Sequence, residues 1–235
     1  MYRLSTGNLH LDRELGGGLE PGRIIGIRTA PGSQGELLLK SFAVANGAMY
    51  LSTTRTNDSL EKWLSTSHGS DVRYAGIDGL MAKHSGGLGD LLAGASGWDE
   101  NGEAEPSTTT MPVDIEPIEN VVENSDQSII IDPVNPLEDL DEDVYMRFLH
   151  DLRRRITDLD QVAILRMVET SSTLDNRWLT LDIADEVWDL SAEINNGRVE
   201  FHLTVFKSRS GYIPSRTIKL ELGDSVAVDT SRDIS

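Results

Sequence analysis

The chain has 235 residues, of which 38% are apolar, enough for one domain with its own core. It has no cysteine, which excludes disulfides and thiolate metal sites and leads to the expectation of a cytoplasmic protein. With 39 acids against 21 bases the formal charge is −18, and a field of that sign repels nucleic acid, so no direct nucleic-acid partner is expected. No run approaches the length of a membrane span, and Met1 to Leu11 lacks the apolar centre of a signal peptide, so no membrane association is expected.

The chain starts with Ser5-Thr6-Gly7, then Leu9, Leu11 and Leu15, then Gly16-Gly17-Gly18-Leu19-Glu20-Pro21-Gly22. An apolar strand is expected over Arg23 to Ile27. It runs into the small-residue loop Ala30-Pro31-Gly32-Ser33-Gln34-Gly35, and a helix is expected over Glu36 to Ala45. Strand, small-residue loop and helix form the frame of a phosphate-binding P-loop, whose amides and helix dipole face an anion. Such loops end Gly-Lys-Ser/Thr; here the end is Gly35-Glu36-Leu37. The lysine of the pattern meets the β and γ phosphates, and the hydroxyl holds Mg²⁺. Glu36 brings the opposite charge. Two unit charges about 4 Å apart interact by roughly 4 kcal/mol at a surface-like dielectric, so reversing the sign costs several kcal/mol of triphosphate affinity. For the helix itself an acid in the first turn is favourable.

Ala48 to Ser52 fits a buried parallel strand and is followed by Thr53-Thr54-Arg55. Asn57 to Leu64 is expected to be helical, and Val72 to Ala75 a further strand. The composition then shifts to Gly, Thr and acids, and an acidic Gly/Thr-rich mobile insertion is expected at about 85–111. The five His residues have no ligand spacing, so no metal site is assigned. A short helix around Ile118, Val121 and Val122 leads to Ser128-Ile129-Ile130-Ile131-Asp132-Pro133, an apolar strand ending in Asp, which is the Walker B pattern. Asp141 to Ile156 reads as an amphipathic helix whose Arg153-Arg154-Arg155 is expected to be a solvated helix end. Gln161 to Val168 is a strand. Val199, Phe201, Leu203 and Val205 alternate along another, which ends at Lys207-Ser208-Arg209 and pairs as a hairpin with Thr217 to Leu222.

The succession of these motifs resembles the KaiC-like RecA superfamily of P-loop proteins over nearly the whole chain, Leu4 to about Val228. The "S-T-G, L-D, L-G-G-G-L-x-P-G" lead-in (with Asp12 at its Asp), the P-loop frame, the Walker B strand, the "A-D-x-V-x-x-L" segment at Ala184 to Leu190 and the late Lys-x-Arg carry the likeness. The acid-rich composition, with only five Lys, also resembles that of haloarchaeal proteins. The resemblance implies an α/β, three-layer RecA-like fold over 1–235: a mainly parallel twisted sheet, helices on both faces, and a C-terminal antiparallel hairpin. It implies that Ala30, Pro31, Gly32, Ser33, Gln34, Gly35, Glu36, Leu37 and Asp132 mark a vestigial nucleotide site. It also implies that Lys207 and Arg209 are candidates to contact a neighbouring subunit, although Ser210 here separates them from Gly211. In the family a Glu after the second strand activates the attacking water; Thr54 and Arg55 cannot do that.

Scaffold positions are therefore kept where catalytic ones are lost. The expectation is a pseudo-ATPase, non-hydrolysing and regulatory, with no cofactor or only weakly bound ATP or ADP. Its partner would be another copy of itself or an active paralogue. Two alternatives stay open. One is residual ATPase activity with displaced groups such as Lys40, although Lys40 lies at i+4 from Glu36 and is expected to pair with it. The other is a recombination or repair accessory acting through a recombinase.

Overall fold

The computed structural model describes residues 2–65, 72–80, 115–171, 174–195, 198–209, 212–222 and 226–228. The expected insertion at 85–111 and the Ser210-Gly211 pair lie outside the described residues. The elements are α1 (Leu9–Glu14), β1 (Arg23–Thr29), α2 (Gly35–Asn46), β2 (Met49–Ser52), α3 (Asn57–Ser65), β3 (Arg73–Ala75) and α4 (Ile77–Leu80). After these come α5 (Glu116–Asn124), β4 (Ile129–Asp132), α6 (Asn135–Glu138), α7 (Glu142–Asp158), β5 (Val162–Val168), α8 (Arg177–Ile183), β6 (Glu186–Asn195), β7 (Arg198–Ser208), β8 (Ile218–Leu222) and β9 (Val226–Val228).

The strands form one sheet in the order β3-β2-β4-β5-β1-β6-β7-β8-β9. The pairings from β3 across to β6 are parallel. Those from β6 to β9 are antiparallel, so the late hairpin extends the sheet at one side. The expected three-layer architecture is the one observed.

Strand periodicity builds the two outer layers. Successive side chains point to opposite faces. Ile25, Ile27, Tyr50, Ile130, Ile164 and Trp188 therefore pack against Leu38, Leu39 and Phe42 of α2 and Leu60 and Leu64 of α3. Ile24, Leu51, Ile129, Ile131, Ala163 and Leu165 pack against Phe148, Leu149, Leu152 and Ile156 of α7 on the other face. Among the described residues no helix is long and apolar enough to cross a membrane.

The lead-in is a lock on α2. The Asp12 carboxylate accepts from Ser5 Oγ at 2.6 Å, from the Thr6 amide at 2.7 Å and from Thr6 Oγ1 at 2.7 Å. Leu4 and Leu19 bridge as a short antiparallel pair. Gly18 adopts φ +101°, and a Cβ there would sit 2.5 Å from the Leu4 carbonyl, so only glycine fits. Asn46 at the end of α2 donates to the Ser5 carbonyl at 2.7 Å.

The three consecutive arginines are not a solvated helix end. Arg153 pairs with Asp185 and donates to the Ile183 carbonyl, and Arg155 donates to the Ser125 carbonyl at 2.6 Å through Nη2. Only Arg154 of the three faces solvent, pairing with Asp151 at 2.8 Å. Neighbours on a helix point about 100° apart, so three in a row cannot share one face, and here two of them turn to neighbouring elements. Asp185 gathers Arg153, Arg23 at 3.5 Å, Arg209 at 3.8 Å and the Ile24 amide at 2.8 Å. It thereby joins α7, β1 and the end of β7.

Candidate nucleotide cradle closed by an ion network

The loop after β1 has the P-loop form. It turns through Gly32 at φ +79° and Gln34 at φ +55°, then enters α2 at Gly35. A Cβ on Gly35 would lie 2.7 Å from Thr29 Cγ2, so this glycine lets the helix start close against β1. Pro31 and Gly32 are exposed, and Ala30 and Leu37 are half-buried. Ser33 is buried, and its Oγ has no hydrogen-bond partner among the described residues. The Gln34 side chain at the N-cap makes no capping hydrogen bond to the start of α2.

What fills the cradle mouth follows from the strand period. Thr29, Tyr50, Asp132 and Arg166 share parity with the residues that face α2, and all but Tyr50 lie at or close to the C-terminal ends of β1, β4 and β5. They meet beneath the first turn of α2. Arg166 Nε donates to Asp132 Oδ1, its Nη1 donates to Thr29 Oγ1 at 3.3 Å, and its Nη2 approaches Glu36 Oε1 at 3.5 Å. The Tyr50 hydroxyl donates to the other Asp132 oxygen. Burial, then the Asp132 charge, pushes the Tyr50 phenol well above the usual tyrosine range, so it stays a donor. From the solvent side, Arg55 pairs with Glu36 Oε2.

Arg55 is held in turn. Its amide donates to Ser52 Oγ at 3.0 Å, and its carbonyl accepts from the Ile77 amide at 2.8 Å. Its guanidinium lies 4.8 Å from the Trp63 ring centroid. Lys40 Nζ lies 5.1 Å from the same ring and donates to the Trp63 carbonyl. The expected i,i+4 pair of Lys40 with Glu36 is thus replaced: Glu36 takes Arg55 and Arg166, and Lys40 turns to α3. Of the two guanidiniums on Glu36, Arg166 comes from the buried strand β5 and Arg55 from the partly exposed loop after β2.

A magnesium triphosphate, which the fold resemblance implies, does not fit these residues. The lysine position holds an acid already engaged by two arginines, and the hydroxyl position holds Leu37. Each oxygen of Asp132, at the position that resembles Walker B, already accepts a hydrogen bond, one from Arg166 and the other from Tyr50. Thr54 is exposed and offers no carboxylate.

Lys207 and Arg209 stand apart from this cluster. Lys207 Nζ donates at 2.8 Å to the carbonyls of both Leu181 and Asp182, and Arg209 donates to Asp182 at 2.7 Å. They cap the C-terminal end of α8, where carbonyls lack helical partners.

Sequence reasoning found Glu36, Arg55 and Asp132 but passed over Arg166 and Tyr50. The signal for Arg166 was available: one arginine interrupts the apolar run Val162-Ala163-Ile164-Leu165-Arg166-Met167-Val168. A charge in a fully buried strand needs a partner.

The fold has relatives among solved structures. The flagellar accessory protein FlaH from Methanocaldococcus jannaschii aligns with TM-score 0.68 at 16% identity, covering 97% of this chain and 99% of that one. A KaiC-like protein from Pyrococcus horikoshii OT3 aligns with TM-score 0.65 at 13% identity, covering 97% and 98%. At such identities the likeness is one of fold. No curated protein sequence matches the chain. Residues 3–96 and 93–235 match a family described as of unknown function, DUF7125.

Proposed function

The chain belongs to the DUF7125 family of unknown function, and from that premise we propose a non-hydrolysing RecA/KaiC-like protein that acts as a regulatory or assembly partner. The observation that carries this reading is the closed network Arg55–Glu36–Arg166–Asp132–Tyr50. The side chains at the lysine and Walker B positions are spent on neighbours within the chain. Breaking a buried pair of this kind costs about 3–5 kcal/mol, because it strands a charge. A nucleotide would have to offset that before gaining affinity.

Any ATP or ADP binding is therefore weak or absent on this reading, and the fold serves as a platform. Support for a partner comes from the surface. Phe206 is 58% exposed and lies under the Arg28 guanidinium at 5.1 Å, and Trp178 on α8 is 53% exposed. Exposed aromatics with arginine are the residue types enriched at interface centres. The partner is another copy of the chain or an active RecA-type paralogue. For Lys207 or Arg209 to reach a neighbour's nucleotide, the α8 carbonyls must be released. Arg209, 46% exposed, is the better placed of the two. The setting we propose is a salt-loving cytoplasm, where screening lets a −18 chain associate.

The test is ATP turnover by the purified protein in molar KCl. No turnover is expected. Turnover that disappears in Asp132→Asn overturns the reading.

A further inference from the structure

The cluster under α2 has a second property, which concerns metal rather than nucleotide. Three oxygen-bearing side chains from three elements converge on the Arg166 guanidinium: Thr29 from β1, Asp132 from β4 and Glu36 from α2. The Tyr50 hydroxyl closes the far side of Asp132. Hydroxyl and carboxylate oxygens are the donor set that hard divalent cations select. The arginine side chain at their centre is 10% exposed, and that of Asp132 is 2% exposed.

We propose that the Arg166 guanidinium is a resident cation, standing in the oxygen site that would otherwise take a divalent metal, so that the wild-type protein takes none there. The charges agree. Asp132 and Glu36 carry two negatives, and Arg166 and Arg55 supply two positives. A divalent ion entering this neutral cluster would meet a guanidinium at its centre and have to compete with a hydrogen bond on each Asp132 oxygen. The arginine also gives something a metal would not. Its planar fork reaches three acceptors at fixed angles and needs no supply from solution. Removing it leaves facing oxygens and an excess of negative charge.

The inference rests on the reading of the cradle as closed, but it is tested with metal alone and no nucleotide. Mn²⁺ binding is followed by electron paramagnetic resonance in molar KCl for wild type, Asp132→Asn, Arg166→Ala and the double variant. Wild type should bind no more Mn²⁺ than Asp132→Asn does. Arg166→Ala should gain one saturable site that the double variant lacks, and its melting temperature should rise with Mn²⁺. Saturable Mn²⁺ binding by wild type, lost in Asp132→Asn, overturns the inference. So does a folded Arg166→Ala that gains no site. If Arg166→Ala does not fold, the comparison of wild type with Asp132→Asn decides alone. Metal bound without nucleotide would sink this inference and leave the proposed function standing. Tight nucleotide binding without metal would do the reverse.

Discussion

Glu36 and Arg55 hold each other across the gap between the first turn of α2 and the loop after β2. The family resemblance puts a cation at the first position and a water-activating acid near the second. This chain has the signs exchanged. The exchange keeps an attractive pair at these two positions, and on the proposed reading it removes both catalytic capacities at once. Each side chain is about 30% exposed, 29% for Arg55 and 31% for Glu36.

A double-mutant cycle should measure that pair. Glu36→Lys places a cation beside Arg55 and Arg166, and Arg55→Glu places two acids together. The double variant should recover about 1 kcal/mol relative to the sum of the singles, near the upper end for partly exposed pairs. Urea unfolding of the four proteins gives the value. Trp63 fluorescence should shift in Arg55→Glu, because the guanidinium leaves its ring. Additive singles would show that the pair is an incidental contact.

Arg166→Met should destabilise by about 3–5 kcal/mol, since it leaves Asp132 buried with only Tyr50 to satisfy it. Arg166→Met combined with Asp132→Leu should cost much less, because no stranded charge remains. Thermal unfolding compares the two. Equal losses would mean that the site tolerates a lone carboxylate, and the network would lose its energetic meaning.

Alkali should act through Tyr50. Its phenol is held above the usual range by burial and then by Asp132. The folded state therefore keeps a proton that the unfolded chain gives up near pH ~10. That contribution is intact below about pH 10 and falls as pH rises further. Tyr145, raised by burial, acts in the same direction. Tyr50→Phe should lose about 1–2 kcal/mol near neutral pH through the missing donor and should flatten the alkaline fall. An unchanged alkaline limb in this variant would assign the fall elsewhere.

Glu186 gives the opposite test. Burial raises its carboxyl pKa even though Trp188 Nε1 donates to it at 3.0 Å and Arg3 and Arg23 attract it. Ionisation therefore weighs against the fold. The stability associated with its proton is full in acid and is lost as pH rises through the folded pKa. Glu186→Gln keeps an acceptor for Trp188 and carries no charge. Its melting temperature should exceed that of wild type at neutral pH and match it in acid. A lower value at neutral pH would show that the two arginines outweigh burial.

Most of the fold could be read in the chain because it depends on local period and order. Ile129-Ile130-Ile131-Asp132 reads as a buried strand from its residues alone, and the Asp141 cap with the stripe from Tyr145 to Ile156 reads as a helix. That an acid, Glu36, stands where the P-loop pattern has lysine was equally plain. The destination of each charge was not. Arg166 is 130 residues from Glu36 and 34 from Asp132, and their meeting depends on β5 lying between β4 and β1. The same holds for Arg153, whose partner Asp185 arrives only through the β1–β6 pairing. Sequence spacing shows which residues are charged; strand order decides which of them touch.

The central claim is that the cradle is closed from within. Calorimetric titration of wild-type protein with ATP and ADP, with and without Mg²⁺, in molar KCl tests it most directly. The account predicts weak or no binding of either nucleotide, with no gain from Mg²⁺. Saturable binding of ATP that strengthens with Mg²⁺ would contradict it.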